Sequence, residues 1–222
     1  MRTKVIACRV MIDEMRSFLP EAAEAVVFEI SQHVRPKQLK TELQAAIDGL
    51  EGTCDVILLG YGLCSNSVLG LSSRSARLVL PRMHDCIGVF LGSHQEYLNE
   101  MNREPAFFLT QGYIRGYQSD GSGPMTEFDR AAERYGEERA GRLVGGMMAA
   151  YKRLVYIRTA QANDVDSDRA YAHQMAERFH MRYEERPGTS ELLRKMVHGD
   201  WNPTDFVVVE PGEEVRLEHF WS

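Results

Sequence analysis

DVILLGYGLC (residues 55–64) and RLVLPRMHDC (residues 77–86) decide the fold. Each opens on a short apolar run, turns at glycine or proline, and ends in a loop that carries a cysteine. Apolar runs this short and this continuous mark strands buried on both faces, as in a parallel sheet. Working outward, similar runs recur at residues 4–8, 26–30, 153–158 and 206–209, with a weaker one at 181–184. Helical patterns fill the intervals: residues 11–19, 36–50 with Pro36 in the first turn, 86–101, 126–150 with a break at Gly136, 165–179 and 190–197. Strand and helix alternate almost throughout. The expected fold is therefore α/β, a mostly parallel sheet with helices on both faces.

The two ends of the chain also resemble each other in pattern. KVIAC, VVFEI and DVILLGYG near the start are separated by helices, as are RLVYIRT, MRYEER and DFVVVEPG near the end. This suggests two Rossmann-like β-α-β-α-β half-units. Residues 1–110 form the N-terminal half with the cysteine motifs, 111–150 a Gly/Ser loop and helical connector, and 151–222 the C-terminal half. Within the connector, QGYIRGYQSDGSGP (111–124) is expected to be a loop and a possible lid.

Composition narrows the function classes. Thirty-two acidic and 26 basic side chains give a formal charge of −6, so no overall positive field is available to hold nucleic acid or anionic lipid. Charge interrupts every apolar run before it could span a bilayer, so no membrane role is expected. The expected compartment is the cytoplasm, where thiols stay reduced; Cys8, Cys54, Cys64 and Cys86 are then buried side chains, metal ligands or reactive thiols rather than disulfides.

Ligands of a parallel α/β sheet bind beyond the carboxyl ends of its strands. Cys8, Cys64 and Cys86 all fall there, whereas Cys54 precedes its strand and serves as a packing residue. Three soft ligands converging from separate loops could hold an iron–sulfur cluster or, with His84, a tetrahedral zinc ion. His33 could add a further nitrogen. No CxxC pair is present, and the alternative is that the cysteines merely end buried strands. In PRMHDC, His84 could act as a base beside Cys86 with Asp85 orienting it, or Asp85 could cap a helix beginning at Cys86, where the helix dipole favours thiolate. The glycines at 60, 62 and 70 match neither GxGxxG nor the Walker pattern, which disfavours a nucleotide.

YGLCSN, PRMHDC and FLGS resemble a family of uncharacterised bacterial and archaeal proteins, the domain of unknown function 1638 (DUF1638). The similarity extends through ACRV, QHVRP, FFLTQGY, LVYIRT and DFVVVEPGE, so it covers nearly the whole chain. The family pattern falls on Cys8, His33, Cys64, His84, Asp85 and Cys86. That resemblance implies a metal or cluster site, and members of similar proteins occur among corrinoid and one-carbon methyltransferase systems. The resulting expectation is a three-cysteine site holding a 4Fe–4S cluster, with zinc as the alternative. His84 and His33 are the catalytic candidates, and Tyr113 and Arg115 the candidates for binding substrate. The partner is then a small molecule or a corrinoid methyltransferase protein; the alternatives are a non-catalytic metal carrier or chaperone, and a protein with merely buried cysteines.

Overall fold

The structure, a computed structural model, describes residues 2–21, 23–159 and 165–220. The first part of the chain builds β1 (Thr3–Cys8), α1 (Arg9–Met15), β2 (Ala25–Phe28), α2 (Pro36–Gly49), β3 (Val56–Gly60) and β4 (Arg77–Pro81). All five residues of β3 are buried, as a central strand of a covered sheet requires. Strand order is β2-β1-β3-β4, all parallel, which places a topological switch point between β1 and β3.

After β4 the apolar pattern expected to give one helix over 86–101 gives two, α3 (Cys86–Leu91) and α4 (His94–Met101). Gly92 ends the first in the left-handed conformation, with φ 87°, and the Ser93 hydroxyl caps the second by accepting from the Glu96 amide. Next comes β5 (Ala106–Leu109), a strand absent from the sequence expectation because AFFL is only four residues long and holds no β-branched side chain. The segment expected as a Gly/Ser loop is largely helix: α5 (Gln111–Asp120) starts at the Thr110 hydroxyl cap and stops at Gly121, φ 63°. Its small residues serve packing rather than flexibility. A Cβ on Gly112 would stand 2.6 Å from the Val10 carbonyl oxygen, so α5 lies directly on the start of α1.

The long helical stretch expected over 126–150 is α6 (Pro124–Tyr135), α7 (Glu137–Ala140), a π-turn at Gly141–Gly145 and α8 (Gly146–Met148). Gly136, with φ 83°, makes the break at the expected place. The chain closes with β6 (Arg153–Arg158), α9 (Val165–Arg178), β7 (Arg182–Pro187), α10 (Glu191–His198) and β8 (Phe206–Val209).

The second β-α-β-α-β unit exists, shifted by one strand from the expectation. Its parallel sheet is β5-β6-β7, and β8 instead returns to the first sheet, antiparallel to β4 with Leu80 opposite Val207. The side chains of β6 alternate between two cores: Val155 and Ile157 join the core of the first sheet, while Leu154 and Tyr156 pack with Ala172 and Met175 of α9. Two buried polar clusters brace the units. The fully buried Glu100 carboxylate accepts from the equally buried Arg153 at 3.1 Å and also meets Arg103 and Arg186. Glu14 of α1 accepts from Ser190 at 2.9 Å and from the Thr159 hydroxyl. Among the described residues no helix is long and apolar enough to cross a membrane.

The α1–α5 contact is open to test by urea unfolding. Gly112→Ala is expected to lower stability by about 1–3 kcal/mol, because overpacking here meets backbone and not a movable side chain. Gly146→Ala, in a helix with open space around its added methyl, is expected to be neutral or stabilising by up to about 1 kcal/mol.

Candidate functional site

The carboxyl ends of β1, β3 and β4 deliver three thiols to one place. Cys8 ends β1, Cys64 follows β3 by four residues and Cys86 opens α3 after β4. Two close backbone approaches hold the loops together. Gly60 faces Ala7, whose Cβ would lie 2.6 Å from any added Cβ, and Gly62 lies against the backbone of Met83 and Asp85. The Leu63 and Cys64 amides then donate to the Met83 and His84 carbonyls, extending the β3–β4 pairing into the loops. Past this point Cys64, Ser65 and Asn66 are left-handed in succession, with φ of 44°, 58° and 65°. Three side-chain-bearing residues in that region store strain, which accumulates where a structure needs a particular backbone shape.

Two cavities open from these thiols. The larger, about 690 Å³, is lined by Cys8, Cys64, Cys86, Gly60 and Tyr61, and by apolar side chains of α1, α5 and the helical run that ends in α8. The smaller, about 470 Å³, is more polar and takes Ser65, Asn66, His84, Asp85 and Tyr97. Four residues belong to both: His33, Cys64, Cys86 and Tyr113. Cys54 lines neither, and its thiol contacts the Leu50 carbonyl at 3.8 Å.

Electrostatics at the site are dominated by burial. Burial raises Cys8 to about 12 and pushes Cys64 and Cys86 upward as well, and each of the latter two is raised further by the neighbouring thiols and by Asp85. Asp85 does cap α3, accepting from the Ile87 and Gly88 amides at 2.9 and 3.3 Å. The thiolate preference expected for Cys86 at that helix start is outweighed by desolvation. Asp85 also accepts from the Tyr97 hydroxyl at 3.0 Å, and burial holds its carboxyl above the ordinary range. His33, stacked on Tyr61 with centroids 5.9 Å apart, is lowered by burial. His84 is lowered by burial and by nearby His94, and stacks on both His94 and Tyr97 at 5.3 Å.

The expected substrate residues separate. The Tyr113 hydroxyl is 3.0 Å from the Cys86 sulfur, so α5 covers the cysteine edge as a helix where a loop was expected. Arg115 lies elsewhere, in a depression with Asp13, Glu14, Arg16 and Gln111. Sequence reasoning missed Tyr61 and Tyr97. Tyr61 follows β3 directly and is 1% exposed, yet its hydroxyl has no hydrogen-bond partner among the described residues. The signal available was its place in GYG, immediately beyond a buried strand.

A doubly wound α/β protein with a thiol-lined cavity at its switch point is the class that fold and site define. Within that class, residues 27–197 match the family model described as protein of unknown function (DUF1638), and the chain belongs to that family. Cys64, Cys86, His33, His84 and Tyr113 lie inside the matched stretch, and Cys8 precedes it. No curated protein and no solved structure matches the chain.

The raised thiols give the stability of the folded chain a pH dependence. An unfolded chain ionises its cysteines near pH 8.5, whereas folded Cys8 holds its proton to about 12. Between those values the unfolded state binds fewer protons, so stability falls as pH rises. Urea midpoints are expected to drop between pH 8 and pH 9.5, below the range where unfolded tyrosines ionise, and Cys8→Ala is expected to shrink that drop.

Proposed function

We propose that this chain is a metal-binding protein in which Cys8, Cys64 and Cys86 hold an iron–sulfur cluster of the 4Fe–4S kind, placed to act on a small molecule. The observation that carries this is the meeting of three thiols from three strand ends at the switch point, on the wall of a cavity with room beside them. Thiolates suit iron–sulfur clusters and zinc alike. Among the described residues no three His, Cys, Asp or Glu side chains are arranged to hold a metal ion. The thiols would have to close in to reach one zinc at about 2.3 Å. A cluster, several atoms across, bridges ligands that stand further apart.

Three cysteines leave one iron of such a cluster without a protein ligand, and the chemistry it supplies when bound is Lewis-acid or electron-transfer chemistry at that position. The chain's own groups do the rest. His33, neutral by burial, borders both cavities and can accept a proton from a molecule in either. His84 can do so from the polar side, stacked on the His94 and Tyr97 rings. Tyr113 covers Cys86 and limits water. The cavity beside the thiols favours an enzyme over a carrier, since a carrier needs affinity and no space for a second molecule. Its volume suits a small molecule, so a corrinoid methyltransferase protein enters the proposal as a partner.

Anaerobic purification or reconstitution followed by iron, sulfide and zinc analysis tests the proposal. Stoichiometric iron and sulfide are expected, lost in Cys8→Ala, Cys64→Ala and Cys86→Ala and kept in Cys54→Ala. A colourless protein with bound zinc, or one that holds no metal under reducing conditions, would overturn the cluster. Because burial keeps the thiols protonated, loading is expected to release protons and to tighten as pH rises from 6 to 8. His84→Gln is expected to retain the cluster and to lower turnover by about 10²–10⁴, as for a general acid or base.

A further inference from the structure

The larger cavity carries its own statement about what enters it. Among the described residues no lysine or arginine lines either cavity, so neither offers a guanidinium or ammonium partner for carboxylate or phosphate. Among the described residues Glu127 is the one carboxylate bordering the larger cavity; it is exposed and paired with Arg130 at 3.1 Å. His33 is kept neutral by burial. Most of the remaining wall is apolar, with Val10, Met11, Ile30, Phe107, Val144 and Met148 beside Ser31 and Ser122. Methionines adapt to ligands of varied shape. The apolar character reaches the surface, because Val34 and Met147, both in the lining, are 79% and 77% exposed.

Against this wall stand two polar groups unanswered among the described residues, the hydroxyls of Tyr61 and Ser122. Both are buried, and a buried hydroxyl in a native protein is paired with protein, water or ligand; the Tyr61 hydroxyl is the one that feels the charge of all three thiols. The π-turn at Gly141–Gly145, a rare geometry frequent at functional sites, brings Val144 to the cavity.

We infer that the larger cavity binds an uncharged, mainly apolar small molecule that presents one hydrogen-bonding oxygen or nitrogen to the Tyr61 hydroxyl. The inference shares its cavity with the proposed cluster site and rests on the lining alone. Metal content and ligand binding are separate measurements, so either idea can fail while the other stands.

Four probes of one size and different charge decide it: toluene, benzyl alcohol, benzoate and benzylamine, titrated by NMR into the protein as purified and after metal loading. Benzyl alcohol is expected to bind more tightly than toluene, and benzoate and benzylammonium at least about tenfold more weakly than benzyl alcohol. Tyr61→Phe is expected to weaken benzyl alcohol by about two- to tenfold, the worth of one hydrogen bond, and to leave toluene within about twofold. Val144→Trp, at a half-buried helical position, is expected to weaken both neutral probes by filling the space. Tightest binding by either charged probe would overturn the ligand class. An unchanged preference for benzyl alcohol in Tyr61→Phe would assign that hydroxyl to a water and remove its role. Full affinity in Val144→Trp would show that the probes bind elsewhere and would overturn the site.

Discussion

At Gly112 the backbone of α5 meets the backbone of Val10 with no side chain between them. That approach joins the two sheets, because α5 follows a strand of the second and Val10 lies at the start of the helix that follows the first strand of the first. It also sets the height of the next residue. Tyr113 reaches Cys86 only because α5 is seated this deeply, and Tyr117, one helical turn on, lines the cavity from the same face. A larger residue at 112 would lift the helix and open the thiols to water. Glu14, taking hydroxyls from Thr159 and Ser190, secures the same pair of units from the other end of α1.

Much of this was legible in the sequence, and the exceptions have physical causes. Strands β1, β3, β4 and β6 were legible because burial on both faces leaves an uninterrupted apolar run. Their carboxyl ends then located the cysteines, since in a parallel sheet strand direction alone fixes which loops share an edge. The partner of β8 was not legible: FVVV fits either sheet equally, and its place depends on where α10 delivers the chain. The α5 segment misled because glycine and serine are common in loops, whereas Gly112 and Gly116 are buried where the helix packs closely. Tyr61 was passed over as an aromatic near a strand, and only its unpartnered hydroxyl distinguishes it from a packing residue.

The site shows two electrostatic effects in competition. A helix start favours a thiolate, and each backbone amide near Cys64 does so too; yet removing the sulfurs from water costs more than these dipoles return. The thiols are thereby kept protonated and less nucleophilic than free cysteines. Asp85 follows the same rule, with burial outweighing two amides and the Tyr97 hydroxyl. Burial thus shifts the thiols and Asp85 alike toward their uncharged forms.

The antiparallel return of β8 has a consequence for how the chain is made. On a ribosome β4 emerges early, with Leu78, Val79 and Leu80 buried in the finished protein, but the strand that covers its edge follows roughly 120 residues later, a delay of about ten seconds at ordinary synthesis rates. Throughout that interval the nascent sheet presents an unpaired apolar edge, a template for pairing with another chain. The second unit must therefore be synthesised in full before the first can be sealed, which makes the final strand a checkpoint of biosynthesis. Translation that stalls after β7 would leave a product with all three cysteine-bearing strand ends in place and an edge that chaperones must shield.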